Sequence, residues 1–301
     1  MMVAHAIAVA TLMVSLSGCS AFNYAAPDSP VPEVSVAPMT PAPRVALVLG
    51  SGGPRGYAHI GIMKVLEEAG IDYDLVVGSS AGALIGAFWA NGYDAEEIDR
   101  FAQSGGPFTL FDLSLFADRG WIRGQRLQDY VNMRLGGKSI EQMPRRLIVA
   151  ATRRDDKAPV FFRSGNIGVA VRASSAVPRI ISPVGINGTE FEDADESLPV
   201  AVRAARQAGA RFVIAVDVSA KAGAAPQGTS KALLERDARR RSRIDPELAA
   251  ADFLIHPDLE YAAGPRRTYF VNAQAMGERS ARDALPALVK RLRLAGVNVR
   301  D

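Results

Sequence analysis

Two glycine-flanked turns in this chain hold the groups that an attack on an acyl carbon needs. The second, Gly78-Ser79-Ser80-Ala81-Gly82, has the G-x-S-x-G spacing of a nucleophile elbow. A strand that turns at once into a helix holds the central serine in a strained backbone conformation. Gly78 and Gly82, two residues before and after, let neighbouring backbone pass close to it. The Ser80 hydroxyl then stands at the carboxyl end of a strand, over the positive end of the next helix. The first turn, Gly50-Ser51-Gly52-Gly53-Pro54-Arg55-Gly56, reads two ways. Amides converging at a helix N-terminus cradle a phosphate in dinucleotide folds. The same arrangement beside a serine nucleophile makes an oxyanion hole. A dinucleotide site also wants an acidic residue at the end of the second strand, whereas Asp72 and Asp74 stand at its start. The oxyanion reading fits better, with the N–H groups of Gly52 and Gly53 as donors. Pro54 has no N–H to give and suits the first turn of a helix.

These turns demand particular elements around them. The apolar run over 45–49 predicts a buried strand leading into the first loop. Ala58, Ile62, Val65, Leu66 and Ala69 recur at helical spacing over 57–69, and Gly70 fits the stop. A second apolar run over 73–77 predicts the strand that ends in the elbow. A helix of small residues follows it and ends at Asn91-Gly92. Further strands are expected at 146–152, 159–162, 212–218 and 253–255, with helices at 95–103, 124–135, 167–175, 199–208 and 273–294. Apolar strands alternating with helices predict a parallel sheet covered on both faces. Asn187-Gly188 is a hairpin signal that joins 182–184 to 190–192 and delivers Asp193 at the end of the second strand. His59, on the first turn of its helix, has a possible role as a base but reads better as a packing residue beneath the glycine loop.

The stretch from Gly50 to Gly56, with Ala58-His59-Ile60-Gly61 and then Gly78 to Gly82, resembles the bacterial patatin-like phospholipase family. The resemblance covers most of the chain from about Arg44. It returns in Ala173-Ser174-Ser175-Ala176-Val177-Pro178 and over 193–209. It implies a three-layer α/β/α fold with a mainly parallel central sheet, lipid acyl hydrolase activity, and a Ser–Asp dyad that uses no metal or cofactor. On this chain the nucleophile would be Ser80. The base would be Asp193, which falls on the family's aspartate when Pro199-Val200 and Ala205-Arg206 are aligned. Arg55 aligns with the family's basic loop residue, and Gly50, Arg55 and Gly56 would support the loop. The family has a histidine at the place of His59, outside the dyad. Ser174 and Ser175 lack an elbow and are candidates only for structure. The implied substrate is a phospholipid or another acyl-ester lipid.

At the acid the chain departs from the family pattern, which usually shows Asp-Gly-Gly or Asp-Gly-Ala. Here the residues are Asp193-Ala194-Asp195. If Ala194 kept the positive φ that glycine permits, the strain would be on the order of 1 kcal/mol. Along a strand, the two carboxylates would face the same side. Like charges would raise the pKa of one. That would help a carboxylate, at about 3.9 in isolation, act as a base near neutral pH. Two other readings stay open. A triad in α/β-hydrolase order would use Ser80, then Asp193 or Asp217, then His256. A catalytically weak chain would bind lipid or a partner through the same pocket.

Composition bounds the rest. The 301 residues, 48% of them hydrophobic, suit one large domain over 44–301. A net charge of +3 and no basic patch with interleaved aromatics argue against nucleic acid. Residues 6–14 are mostly apolar and lead to Leu16-Ser17-Gly18-Cys19, which resembles a bacterial lipoprotein signal. Residues 1–18 would be removed and Cys19 acylated. Cys19 is the only cysteine, so it has no internal disulfide partner. The apolar stretch is too short to span a bilayer comfortably. Ser20 is commonly compatible with outer-membrane sorting, so the expected place is an outer membrane, facing the periplasm or the exterior. Residues 19–43, rich in Pro and Ala, read as an extended tether. Phe108, Phe111, Leu113, Leu115, Phe116 and Trp121 cover the core, line an acyl-chain pocket or dip into lipid. The basic run over 235–243 is a solvated helix face or a contact for anionic headgroups. The oligomeric state is not encoded in any of these features.

Overall fold

The computed structural model describes residues 23–104, 110–114 and 117–299. Ten strands among them form one mixed sheet. In chain order they are β1 (Asn23–Tyr24), β2 (Pro32–Glu33), β3 (Val45–Leu49), β4 (Leu75–Ser79), β5 (Arg146–Arg153), β6 (Pro159–Phe162), β7 (Val184–Ile186), β8 (Thr189–Glu192), β9 (Phe212–Val216) and β10 (Phe253–Ile255). The helices packed around it include α1 (Tyr57–Glu68), α2 (Ala81–Ala90), α3 (Ala95–Ser104), α4 (Gln125–Leu135), α5 (Ile167–Ser174), α6 (Val202–Gln207), α7 (Lys231–Leu248) and α8 (Arg267–Leu294). The spatial order is β1-β7-β8-β5-β4-β3-β9-β10, with β6 set against β5 and β2. The run β5-β4-β3-β9-β10 is parallel throughout, while β6 and β8 lie antiparallel to β5.

Alternation along β3 sorts the two faces. Val45, Leu47 and Leu49 join an apolar cluster with residues of α1, α2 and α8. Ala46 and Val48 join a second cluster with residues of α6 and with Ile244 of α7. Every residue of β3 and β4 is buried, as strands covered on both sides must be. The result is the three-layer α/β/α arrangement with a mainly parallel central sheet that the sequence leads one to expect. Because β3, β4 and β9 run in parallel, the loops at their carboxyl ends lie together. These are the glycine loop, the serine elbow and the turn carrying Asp217.

The N-terminal part departs from expectation. Residues 23–43 are extended, but they are docked on the fold rather than free as a tether. β1 pairs with β7 and β2 with β6. Val36 is buried, Asn166 donates its N–H to the Asp28 carbonyl at 2.7 Å, and Arg163 pairs with Glu33 at 2.7 Å. The folded unit therefore includes residue 23 onward, ahead of the expected start at Arg44. The signal segment 1–18, Cys19 and residues 20–22 lie outside the described residues. No helix among the described residues is long and apolar enough to cross a membrane.

Candidate active site

β4 ends at Ser79 and α2 begins at Ala81. Between them Ser80 has φ 53° and ψ −117°, a backbone conformation that non-glycine residues rarely adopt. Ser174 Oγ accepts the Ser80 N–H at 2.8 Å, and Ser79 Oγ donates to the Leu198 carbonyl at 3.0 Å. Both contacts hold the elbow from beneath, the structural role expected for Ser174. The flanking glycines are sterically required. A Cβ at Gly82 would lie 2.1 Å from the Leu49 carbonyl oxygen, and one at Gly78 would lie 2.5 Å from Ala83 Cα.

Asp193 arrives at this elbow from the β7–β8 hairpin, which turns at Asn187 and Gly188 with φ 48° and 82°. Its Oδ2 accepts the Ser80 hydroxyl at 2.7 Å and its Oδ1 accepts the Asp195 N–H at 2.7 Å. Its backbone is held as well. Its N–H donates to the Ala176 carbonyl at 3.0 Å, and its carbonyl accepts from Thr152 Oγ1 at 2.8 Å. Burial first, and then the nearby Asp195 carboxylate, push the Asp193 pKa up to about 7, against the lowering effect of its two hydrogen bonds. A carboxyl at that value is poised to exchange a proton near neutrality.

The departure from the family's glycine is accommodated without strain. Ser80, Arg119, Lys157, Arg179 and Asn187 have positive φ among the described non-glycine residues, and Ala194 does not. Ala194 starts a short 3-10 turn capped by Asp193, and its methyl group is buried in the second apolar cluster. The expected cost at Ala194 is therefore absent. Nor do Asp193 and Asp195 share one face of a strand, since β8 stops at Glu192.

Asp195 instead turns toward the glycine loop. Its carboxylate accepts the Ser51 hydroxyl and pairs with Arg240 at 2.7 Å. Arg240 also donates to Ser51 Oγ and to the Ser51 carbonyl, both at 3.0 Å. One guanidinium from α7 thus ties the acid turn to the loop after β3. Sequence reading had no signal for this, because Arg240 looks like any other member of a basic run. Two variants should shift activity in opposite senses along the pH axis. Asp195→Asn removes a negative charge, lowers the Asp193 pKa, and moves the acid limb of kcat/KM to lower pH with most activity kept. Arg240→Ala leaves Asp195 unpaired, moves that limb to higher pH, and loosens the loop. A roughly tenfold to hundredfold fall in kcat/KM is expected, the order that a ~1 Å misplacement costs. Shifts of the same sign in both variants would contradict this account.

The glycine loop is anchored at several points. Gly50 N–H donates to the Val216 carbonyl at 3.0 Å and Ser51 N–H to the Pro199 carbonyl at 2.8 Å. His59 Nε2–H donates to the Gly50 carbonyl at 2.8 Å. Burial lowers the His59 pKa to about 4, so it is a neutral support under the loop. Arg55 donates to the carbonyls of Tyr261 and Glu260, which ties the glycine loop to the loop after β10. Gly53 has φ 53°, and a Cβ at Gly52 would lie 2.6 Å from Val218 Cγ2. No backbone carbonyl among the described residues accepts the N–H of Gly52 or Gly53. Gly53, Pro54 and Gly56 line the same cavity as Ser80, while Gly52 stands one residue back from it.

The alternative triad is not assembled. His256 Nε2 donates to the Ser219 carbonyl at 2.9 Å and lies 3.8 Å from Asp217. Asp217 pairs with Arg241 at 2.7 Å. Burial alone would raise the Asp217 carboxyl, but His256, Ser219 and Arg241 hold it below the ordinary carboxylate range. These groups form a second network whose contacts do not include the Ser80 hydroxyl.

The cavity over Ser80 has a volume of about 250 Å³. Leu84, Phe88, Phe101, Phe111, Val177 and Phe270 contribute to its apolar wall. Such a wall suits a hydrocarbon chain held with its reacting end at the serine. Of the aromatic stretch, Phe111 lines the cavity and Leu113 and Trp121 turn outward. Phe108, Leu115 and Phe116 lie outside the described residues. Among the described residues no group of His, Cys, Asp and Glu is placed to hold a metal ion.

Residues 47–195 match the family model described as patatin-like phospholipase. An uncharacterized NTE family protein of Mycobacterium tuberculosis is 36% identical over 184 residues, which cover 59% of this chain and 50% of that protein. The lysophospholipase nte1 of Aspergillus fumigatus is 31% identical over 188 residues, 61% of this chain and 12% of that protein. The match therefore spans half of the mycobacterial relative and about an eighth of the fungal one. Among solved structures, VipD from Legionella pneumophila has a TM-score of 0.56 at 14% identity, over 81% of this chain and 66% of that one. That is a likeness of fold.

Proposed function

The chain belongs to the patatin-like phospholipase family, and from that premise we propose that it is a serine lipid acyl hydrolase with Ser80 as nucleophile and Asp193 as base. The observation that carries the reading is the 2.7 Å hydrogen bond from Ser80 Oγ to Asp193 Oδ2, in a strained elbow that lines an apolar cavity. In the first half-reaction Ser80 Oγ bonds to the ester carbonyl carbon and its proton passes to Asp193 Oδ2. The Gly52 and Gly53 amides take the negative charge that forms on the carbonyl oxygen. The intermediate collapses, the bond to the leaving oxygen breaks, and Asp193 returns the proton to that oxygen. Water then attacks the acyl-serine with Asp193 again as base, which releases the carboxylic acid and restores Ser80.

The relatives' names point to lysophospholipids and phospholipids as the substrate class. The test is a panel of short-chain and long-chain esters, with Ser80→Ala as control. Wild type should hydrolyse members of the panel and Ser80→Ala should not. Equal rates in the two proteins would end the proposal. His256→Ala discriminates the dyad from a triad. Near-normal activity is expected, since the His256 ring is engaged with the Ser219 carbonyl. Loss of activity on the scale of Ser80→Ala would reinstate the triad. The binding-only reading rests on the departure from the family pattern at Ala194 and Asp195; a positive φ at Ala194 is no part of it, and ester hydrolysis by wild type decides between the two readings.

The proposal extends to location. An acylated Cys19 would hold the chain to a bacterial membrane, with the outer membrane as the expected site. From Cys19 to Asn23 the chain reaches at most about 14 Å, so such an anchor would keep the folded unit close to the lipid. Cys19→Ala should release the protein to the soluble fraction. A wild type already soluble and without acyl mass would remove this part of the proposal.

A further inference from the structure

Beside the cavity the surface carries an apolar knuckle. Leu113, Trp121 and Ile180 are 68%, 67% and 50% exposed. They come from three chain segments laced by backbone hydrogen bonds. Ser114 N–H donates to the Trp121 carbonyl at 2.9 Å, and the N–H groups of Trp121 and Ile122 donate to the Ile180 carbonyl at 2.9 and 3.0 Å. Leu113 also bridges Ile122, and Ile122 bridges Ile181. The three side chains therefore stand on one small platform. The same segments wall the cavity on their inner side, through Phe111 and Ile181. Ile180 and Ile181 are consecutive and opposite, one half exposed and the other 6% exposed.

The charges around the knuckle are unequal. Its acids are engaged. The Asp112 carboxylate accepts the N–H groups of Gly124 and Gln125 at the start of α4, at 2.7 and 3.1 Å. Asp118 pairs with Arg119, which also pairs with Glu190. Arg123 and Arg179 are exposed on the same segments, with no carboxylate partner among the described residues. An exposed group of large apolar side chains rimmed by unneutralised guanidiniums marks an interaction surface. Tryptophan favours the headgroup level of a bilayer, and arginine favours anionic headgroups.

Chain direction adds an independent observation. β1 runs parallel to β7 with Asn23 opposite Gly185. Asn23 therefore lies at the end of β7 that residues 180–183 lead into. That is the side of the knuckle, and Cys19, the proposed acyl acceptor, lies four residues before Asn23.

We propose that the knuckle of Leu113, Trp121 and Ile180, with Arg123 and Arg179, docks on an anionic phospholipid surface and sets the cavity against the bilayer that supplies its lipid. The choice of a bilayer as partner rests on the lipid-hydrolase reading above.

The test uses the full chain in a Cys19→Ala background, which removes the acceptor for an acyl anchor. Vesicles of phosphatidylcholine alone are compared with vesicles that also contain phosphatidylglycerol. The protein has two tryptophans, and Trp89 is only 4% exposed, so a change in indole emission on binding reports on Trp121. The expected result is sedimentation with the anionic vesicles and a blue shift of emission. Trp121→Ala should abolish the shift and weaken vesicle binding at least tenfold. The double variant Arg123→Gln with Arg179→Gln should lose the preference for anionic vesicles. Hydrolysis of a dispersed short-chain ester should be equal in all three proteins, because none of these side chains lines the cavity. No vesicle binding, binding without a blue shift, or binding unaffected by Trp121→Ala would each overturn the proposal. Self-association that disappears in Trp121→Ala, without vesicle binding, would assign the knuckle to a second copy of the chain. Vesicle binding with no ester hydrolysis by any of the proteins would keep the docking surface and remove the hydrolase reading.

Discussion

Asp193→Asn is expected to reduce ester hydrolysis by roughly 10⁴-fold, the scale on which a catalytic serine loses its acid–base partner, while raising stability at neutral pH. The two effects have one cause. Asp193 is buried, and its pKa in the fold is pushed up to about 7 from an ordinary value of 3.8. Below pH 4 the carboxyl is protonated in both folded and unfolded chains and costs nothing. Between about 4 and 7 the unfolded chain releases the proton and the folded one retains it, so stability falls as pH rises through that window. Above about 7 the loss is complete. With 1.36 kcal/mol per unit as the conversion, its ceiling is about 4 kcal/mol. An asparagine at this position cannot ionise and escapes that penalty, while its amide still accepts the Asp195 N–H. Urea unfolding of both proteins at pH 4 and pH 8 reads the effect. The advantage of Asp193→Asn should be small at pH 4 and larger at pH 8. An advantage that stays flat with pH would contradict the burial argument, and retained hydrolysis would contradict the base assignment. The same pKa sets the wild-type rate, which should rise through about pH 7 as Asp193 loses its proton.

Gly82→Val is expected to cost about 3 kcal/mol or more and to remove activity in whatever protein still folds. The Cβ of any residue at this position meets the Leu49 carbonyl oxygen at 2.1 Å, and backbone on a central strand cannot step aside. Relief must come from moving α2 away from β3. That motion pulls Ser80 away from the glycine loop, because the loop leaves β3 at Leu49. At about 2–4 °C per kcal/mol for a chain of this size, Tm should drop by roughly 10 °C. Thermal unfolding and ester hydrolysis measure the two consequences separately. A variant with unchanged Tm would show that the elbow tolerates the bulk.

The parts of this site that could be read in advance are those with a local backbone cause. The elbow follows from a strand, a serine and two glycines within five residues, and Asn187-Gly188 fixes where its hairpin delivers Asp193. His59 as a support was legible from its place under the loop. The bridge from Arg240 to Asp195 and Ser51 was not. Of the described residues of α7, Ile244 and Glu247 are buried, so no apolar stripe marks the inward face and the basic run resembles a solvated one. The backbone at Ala194 was not legible either, because the family's glycine leaves open a positive φ that a short 3-10 turn does not need. The docking of segment 23–43 is not legible in the sequence for a further reason. Its strands are two residues each, too short for a period of two to show. The groups that hold it, Arg163 and Asn166, lie more than a hundred residues away.

The central claim is a covalent one, and labelling with a fluorophosphonate tests it most directly. The probe should modify wild type once, and peptide mass analysis should find the adduct on Ser80. Ser80→Ala should remain unlabelled, and Asp193→Asn should label far more slowly than wild type. Labelling of Ser80→Ala at Ser79, Ser174 or Ser175, or no labelling of wild type at all, would contradict the account.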